Sequence, residues 1–301
     1  MNRESGERVT KVTIYQGESL ASLQRLPDAS VDCVVTSPPY WLQRDYGFAE
    51  QIGQEPDVND FVGKLVTVFA EVYRVLKSSG VCWVNLGDTY HEGRLMGVPW
   101  RVAFAMESTG WILRQDVIWH KPNPMPEPVM SRCVKAHEYV FLFSKSRKYF
   151  FDHKAIAEPS VKKTSGNLQR KSAAQRGIGK FDNGTTSGDV AGSVPWSGET
   201  RNKRSVWTIA GQSVEGAHFA TMPESLAEIC IKAGCPESGC VLDPFAGTGT
   251  TGYMAFTQGK NSVLCEGNPE YVDMIKGRFT NNMFAEVKPS NDENLSLLQP
   301  T

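Results

Sequence analysis

Thr36-Ser37-Pro38-Pro39-Tyr40-Trp41 follows directly on the apolar run Val31-Asp32-Cys33-Val34-Val35. Consecutive prolines donate no ladder hydrogen bond, so a central strand must stop there and present a rigid, extended tetrapeptide. A hydroxyl, a proline carbonyl without a ladder partner and an aromatic face are thereby grouped. Such a set suits a flat heterocycle carrying an amino group. A second constellation lies about 200 residues later, in Val241-Leu242-Asp243-Pro244-Phe245-Ala246-Gly247-Thr248-Gly249-Thr250-Thr251. It reads as a strand, a tight glycine turn and a helix start, where backbone can approach a ligand and free N–H groups point at it. With Gly252 the run matches G-x-G-x-x-G. By itself that pattern suits NAD, a flavin or S-adenosylmethionine, with a bare glycine turn as the plain alternative. Asp243 and Pro244 favour S-adenosylmethionine, because a carboxylate at the strand's end suits the ammonium of a methionine moiety rather than a pyrophosphate. Glu266 ends the next strand, where an acid accepts hydrogen bonds from both ribose hydroxyls; NAD sites share that trait.

The elements that must position these groups alternate between strand and helix, which predicts a mostly parallel α/β sheet with helices on both faces. Strands are expected at 12–15, 31–36, 81–86, about 111–119, 139–143, 241–242 and 262–265. Helical spacing of Phe61, Leu65, Val68, Phe69, Val72, Val75 and Leu76 predicts a helix over 58–77. Shorter helices are expected at 18–26, 98–109, 223–233, from Thr250, and from Pro269 to about Phe279. A stretch poor in large apolar residues, from about Ser160 to Arg204, cannot build a core of its own and reads as a mobile loop or small appendage. Residues after Phe284 read as a disordered tail.

The chain's 301 residues suit one large domain or a domain with an insertion, and its 40% apolar content is ample for a core. The absence of an 18-residue apolar run argues against a membrane span, and Met1–Gly6 lacks the apolar stretch of a secretory signal. Most of the seven cysteines sit in apolar runs, as reduced, buried thiols do, which fits a cytoplasmic location. Cys230, Cys235 and Cys240, evenly spaced, lack the C-x2-C pair or matching histidine of a metal site, so none is expected. Net charge is −1, yet Lys154 to Arg204 holds ten Lys/Arg against four Asp/Glu, or +6, leaving −7 elsewhere. Such local asymmetry favours a phosphate backbone.

Ser-Pro-Pro-Tyr resembles the catalytic tetrapeptide of DNA amino-methyltransferases, which methylate cytosine N4 or adenine N6. Asp-Pro-Phe-Ala-Gly-Thr-Gly-Thr-Thr resembles the cofactor motif of the same family. Ala217-His218-Phe219-Ala220-Thr221-Met222-Pro223 looks like the segment preceding that turn; Trp119 to Pro126 and His137 to Tyr149 look like its late strands. The resemblance, over most of the chain, implies a Rossmann-like methyltransferase fold. Because the tetrapeptide precedes the cofactor turn, the order is circularly permuted, as in the group called β, with target recognition between the motifs. It divides the chain into a catalytic part (1–157), a basic target-recognition insertion (158–212), a cofactor-binding part (213–284) and a tail (285–301).

The residue roles are carried over with it. Phe245 through Gly249 wrap the methionine moiety, with Asp243, Pro244, Thr250, Phe219 and Thr221 beside it, and Glu266 holds the ribose. Glu18 in Gly17-Glu18 stands where the family usually has Asp, which meets the adenine amine. Ser37 Oγ and the Pro38 carbonyl accept the two amine hydrogens, Pro38-Pro39 holds those acceptors rigidly, and Tyr40 stacks on a base flipped from duplex DNA. Arg201, Lys203 and Arg204, with Trp196 and Trp207, are candidate DNA contacts. Serine at the first position resembles the cytosine-N4 branch, with adenine N6 as the alternative. The implied partner is double-stranded DNA, with a cognate restriction endonuclease as optional companion, and the acting unit a monomer or homodimer. RNA or protein-glutamine methylation, and a non-catalytic DNA-binding protein on the same fold, are the competing readings. Asp88, after the 81–86 strand, reads as a cleft residue or a helix cap.

Overall fold

The computed structural model describes residues 10–43, 51–160, 199–213, 220–279 and 285–289. Its first half contains β1 (Val12–Gln16), α1 (Ser19–Gln24), β2 (Val31–Thr36), α2 (Val58–Val75), β3 (Leu76–Leu86), β4 (Tyr90–His91), β5 (Arg94–Leu95), α3 (Val98–Ser108), β6 (Ile112–His120) and β7 (His137–Ser144). The remainder contains β8 (Glu158–Pro159), β9 (Thr200–Arg201), β10 (Val206–Thr208), β11 (Gln212–Ser213), β12 (Ala220–Thr221), α4 (Glu224–Gly234), β13 (Cys240–Asp243), α5 (Thr250–Thr257), β14 (Asn261–Glu266), α6 (Pro269–Arg278) and β15 (Ala285–Pro289). Nine strands form one sheet in the order β10-β6-β7-β3-β2-β13-β14-β1-β15. Every neighbouring pair is parallel except those made by β7, which runs against β3 and β6.

Alternation along the central strands assigns the helices to faces. Val34 packs with Leu23 of α1, Phe61 and Leu65 of α2 and Met106 of α3, whereas Cys33 and Val35 pack with Leu226 and Ile231 of α4 and Ala255 of α5. Helix α6 places Val272 and Ile275 against Val12, Ile14 and Leu264. Local chemistry starts these helices where the periodicity does: Asp57 caps α2 by accepting from the Asn59 N–H at 2.6 Å, and Asn268 caps α6. Gly252 permits close helix–strand packing, since a Cβ there would lie 2.5 Å from Leu264 Cδ1.

From β2 the chain crosses through α2 to β3 on one side, and from β13 through α5 to β14 on the other. The two crossovers cover opposite faces, so a crevice opens between the carboxyl ends of β2 and β13. The strands carrying the two motifs are therefore direct neighbours.

Two boundaries differ from expectation. Residues 206–208, placed in the insertion, form the edge strand β10 of the main sheet beside β6. Trp207, a candidate DNA contact, is buried there at 4% exposure, 5.9 Å from the Trp83 ring, and donates its indole N–H to the Arg204 carbonyl at 2.8 Å. One large aromatic surface makes three residues worth burying, which a polar surrounding sequence hides. Residues 285–289, placed in the tail, pair with β1 as β15, with Val287 packing on the α6 cluster. Trp196 and Phe219, and most of the basic stretch, lie outside the described residues.

Candidate active site

Strand β2 ends at Thr36, and Ser37-Pro38-Pro39-Tyr40 continues over its carboxyl edge. Trp41 anchors the far end of this segment: it is 2% exposed and donates its indole N–H to the Glu55 carbonyl at 2.7 Å. Among the described residues no donor reaches the Pro38 carbonyl, as expected of an acceptor released from the ladder. The second motif is pinned alongside. Thr36 Oγ1 donates to Asp243 Oδ1 at 2.7 Å, and Thr251 Oγ1, at the start of α5, donates to the Val35 carbonyl at 3.2 Å. Gly247 and Gly249 turn the chain with φ of +52° and +81°, the left-handed region glycine occupies without strain.

Both motifs open onto one cavity of about 480 Å3. Ser37, Pro38, Pro39 and Tyr40 line one part; Asp243, Phe245, Ala246, Gly247, Thr248, Thr250 and Glu266 line another, and Glu18 a third. Pro244 and Gly249 shape the turn from behind. Pro244 accepts from Ser19 Oγ at 2.6 Å through its carbonyl, and a Cβ on Gly249 would lie 2.9 Å from Ile275 Cγ1. Thr221 pairs with Gln212 in the short β11–β12 ladder, next to Met222, which lines the cavity.

The acids behave as burial dictates. Asp243 accepts from Thr36 and, at 3.0 Å, from the Phe245 N–H. Burial pushes its carboxyl up to about 6, against the pull of those hydrogen bonds. Glu266 accepts from the Gly247 N–H at 2.7 Å and the Asn268 N–H at 2.8 Å, so it holds the glycine turn in place. Burial pushes it up to about 7 against those N–H donors. Glu18 caps α1, accepting from the Ala21 N–H at 3.3 Å.

These shifts have a sign. Both acids have folded-state values above their unfolded ones, so the folded chain holds more protons through the intervening window, and stability falls as pH rises through it. The ligand-free protein should therefore lose several degrees of melting temperature between about pH 5 and 7.5. Glu266→Gln should flatten that slope; an unchanged slope in calorimetric scans would contradict this electrostatic account.

A polar network absent from the sequence expectations lies beneath Tyr40. Its hydroxyl donates to Glu138 Oε2 at 2.6 Å and accepts from Asn85 Nδ2 at 2.9 Å. Asn85 Nδ2 also reaches Glu138 Oε2 at 3.0 Å, and Lys121 Nζ pairs with Glu138 Oε1. Ser37 Oγ stands 3.4 Å from the Tyr40 hydroxyl and 3.5 Å from Asn85 Nδ2. The Tyr40 ring rests over Gly87, where a Cβ would come within 2.7 Å of Tyr40 Cε2. Asn85, 2% exposed, ends the apolar run 81–84 of β3, and Glu138, 8% exposed, precedes the apolar run 139–143 of β7. That position is the one signal the sequence offered for them.

Other candidates fall elsewhere. Asp88 accepts from the Gly97 N–H at 3.1 Å and the Val98 N–H at 3.0 Å, so of its two readings the helix cap is the one realised. Arg201 and Arg204 both pair with Glu158 Oε1, at 2.9 and 2.6 Å, and Lys203 Nζ lies over the Trp207 ring. None of the three lines the cavity.

The cavity's donor set fits S-adenosylmethionine. Thr248 Oγ1 and Asn85 Oδ1, both buried and both on residues lining the cavity, lack a partner among the described residues. Gly247 leaves open space where a Cβ would stand, and acids flank the turn.

Comparison with known proteins agrees. The family model described as DNA methylase, covering N6 and N4 methyltransferases, matches residues 31–277. The chain is 39% identical over 295 residues to Type II methyltransferase M.XycI of Xanthomonas campestris pv. cyanopsidis, covering 88% of this chain and 87% of that one. It is 37% identical over 307 residues to M.Cfr9I of Citrobacter freundii, covering 92% and 91%. Among solved structures, the cytosine-N4-specific PvuII DNA methyltransferase shares the fold with a TM-score of 0.66 at 23% identity, over 92% of this chain and 89% of that one. A DNA modification methylase of Thermus thermophilus, solved with S-adenosyl-L-methionine, matches with a TM-score of 0.61 at 25% identity, over 93% and 98%. A doubly wound sheet, a permuted motif order and this coverage together place the chain in the N6/N4 family of S-adenosylmethionine-dependent DNA methylases.

Proposed function

We propose that this chain methylates the exocyclic N4 of a cytosine flipped out of duplex DNA, as the modification member of a restriction system. The observation that carries the proposal is the convergence of Ser37, the Pro38 carbonyl and the Gly247 turn on one cavity between neighbouring strands. S-adenosylmethionine supplies an electrophilic methyl group on its sulfonium. Phe245 to Thr248, with Asp243, Thr250 and Glu266, hold the cofactor, with Glu18 at its adenine end and Thr221 on the approach. An exocyclic amine is a poor nucleophile because its lone pair conjugates with the ring. Ser37 Oγ and the Pro38 carbonyl accept its two hydrogens and leave the lone pair facing the donor; the surplus proton leaves to water. Tyr40 stacks on the base, and the Glu138–Asn85 pair keeps its ring in place.

Cytosine is favoured by serine at the head of the tetrapeptide and by the specificity named for the PvuII enzyme. Target recognition belongs to the basic insertion (158–212), apart from its β10 strand, with Lys203, and Arg201 and Arg204 once freed from Glu158, as phosphate or base contacts. Labelled methyl transfer to duplex DNA, RNA and protein, followed by nucleoside mass spectrometry, tests the proposal. N4-methylcytosine in duplex DNA is expected. N6-methyladenine would replace the base assignment, and labelled RNA or protein would remove the substrate assignment.

A further inference from the structure

Six of the nine large apolar side chains exposed among the described residues stand on two neighbouring hairpins. Tyr90 and Leu95 lie on β4–β5; Met125, Val129, Met130 and Val134 lie on the 121–136 loop that joins β6 to β7. Met125 is 84% exposed and Met130 fully so. Strand β6 runs antiparallel to β7, and β7 antiparallel to β3, so this loop overhangs the carboxyl edge of the sheet. Lys121, Met125 and Lys135 of the loop line the cavity itself.

The loop is braced. Glu127 pairs with Arg132 and accepts from the Lys135 N–H at 3.3 Å, Arg132 lies 3.7 Å over the Tyr90 ring, and Lys135 Nζ donates to the Asp88 carbonyl. A braced rim holding its methionines in water is costly for a monomer, and such patches mark interaction sites. The loop itself carries Lys121, Arg132 and Lys135 against Glu127, a net +2, with Lys121 paired to Glu138 of β7, and that balance suits a polyanion. Methionine is unbranched and conforms to irregular apolar gaps, such as an unstacked base step.

We propose that the 121–136 loop is a wedge for duplex DNA, with Met130, supported by Met125, entering the stack beside the target nucleotide. This rests on the cavity being the pocket for that nucleotide. Extrusion costs a few kcal/mol in unstacking, and an apolar side chain filling the vacated space offsets part of it.

The test compares single-turnover methylation of two duplexes carrying the site that the wild-type enzyme modifies in plasmid DNA. One is fully matched; in the other the target base faces an abasic position, is already unpaired and is cheaper to extrude. Met130→Ala should slow methylation of the matched duplex about tenfold or more, and of the abasic duplex less than about threefold. An equal loss on both, or no loss on the matched duplex, overturns the wedge while leaving the wild type's own activity as separate support for the functional reading. A wild type that methylates neither removes both. A concentration-dependent dimer that Met130→Ala breaks would assign the patch to a second copy of the chain instead.

Discussion

Tyr40→Ala is expected to lower the single-turnover rate about a hundredfold or more, while the cofactor dissociation constant stays within about threefold. Two losses combine. Stacking of a base on an aromatic ring contributes about 1–3 kcal/mol. Removing the hydroxyl also strips Glu138 Oε2 of its 2.6 Å donor and Asn85 Nδ2 of one acceptor, in a place nearly closed to water. Glu138 Oε2 keeps the Asn85 Nδ2 donor at 3.0 Å, and the one Asn85 N–H left unsatisfied costs about 1–3 kcal/mol. Cofactor affinity is spared because the glycine turn is held by Glu266 and Thr36–Asp243, not by Tyr40. Tyr40→Phe keeps the ring and should sit between, about tenfold down. Rapid-quench methylation with parallel calorimetric titration of the cofactor separates the two effects. A Tyr40→Ala enzyme turning over at the wild-type rate would leave the ring without a role.

Glu138→Gln should reduce turnover about tenfold to a hundredfold with little change in shape. The amide keeps an acceptor for the Tyr40 hydroxyl but loses the charge opposed to Lys121, whose ammonium also lies 4.4 Å over the Trp119 ring. If Glu138 works by holding Tyr40, Glu138→Gln and Tyr40→Phe act on one object. Their effects then couple by about 1 kcal/mol or more, the range found for residues sharing a hydrogen-bond network. Strict additivity in that double-mutant cycle would assign Glu138 to the sheet alone.

Both motifs were legible as short, local patterns. Pro38-Pro39 ends a strand whatever surrounds it, and Gly247-Thr248-Gly249 must turn because its φ angles of +52° and +81° at the glycines exclude most side chains. Helix α2 and the 81–86 part of β3 were legible for the same reason, since their apolar periods need only neighbouring residues, whereas 76–80 read as a helix end and a break and are strand. Edge strands β10 and β15 were not, because three and five residues carry little periodic signal and form only against a waiting partner strand. The network of residues 40, 85, 121 and 138 escaped notice because its members come from four separate places along the chain.

By itself, then, the order of residues determined where strands stop, where the turn is tight, and which hydroxyl and carbonyl are left without ladder partners. Tertiary structure decided which strands lie side by side. Placing β2 against β13 brings Ser37 and Gly247 onto one cavity, a matter of long-range pairing that no local pattern encodes. It also decided that Asp243 bridges the two motifs through Thr36 and that Trp207 belongs to the core, because burial depends on what packs against a side chain.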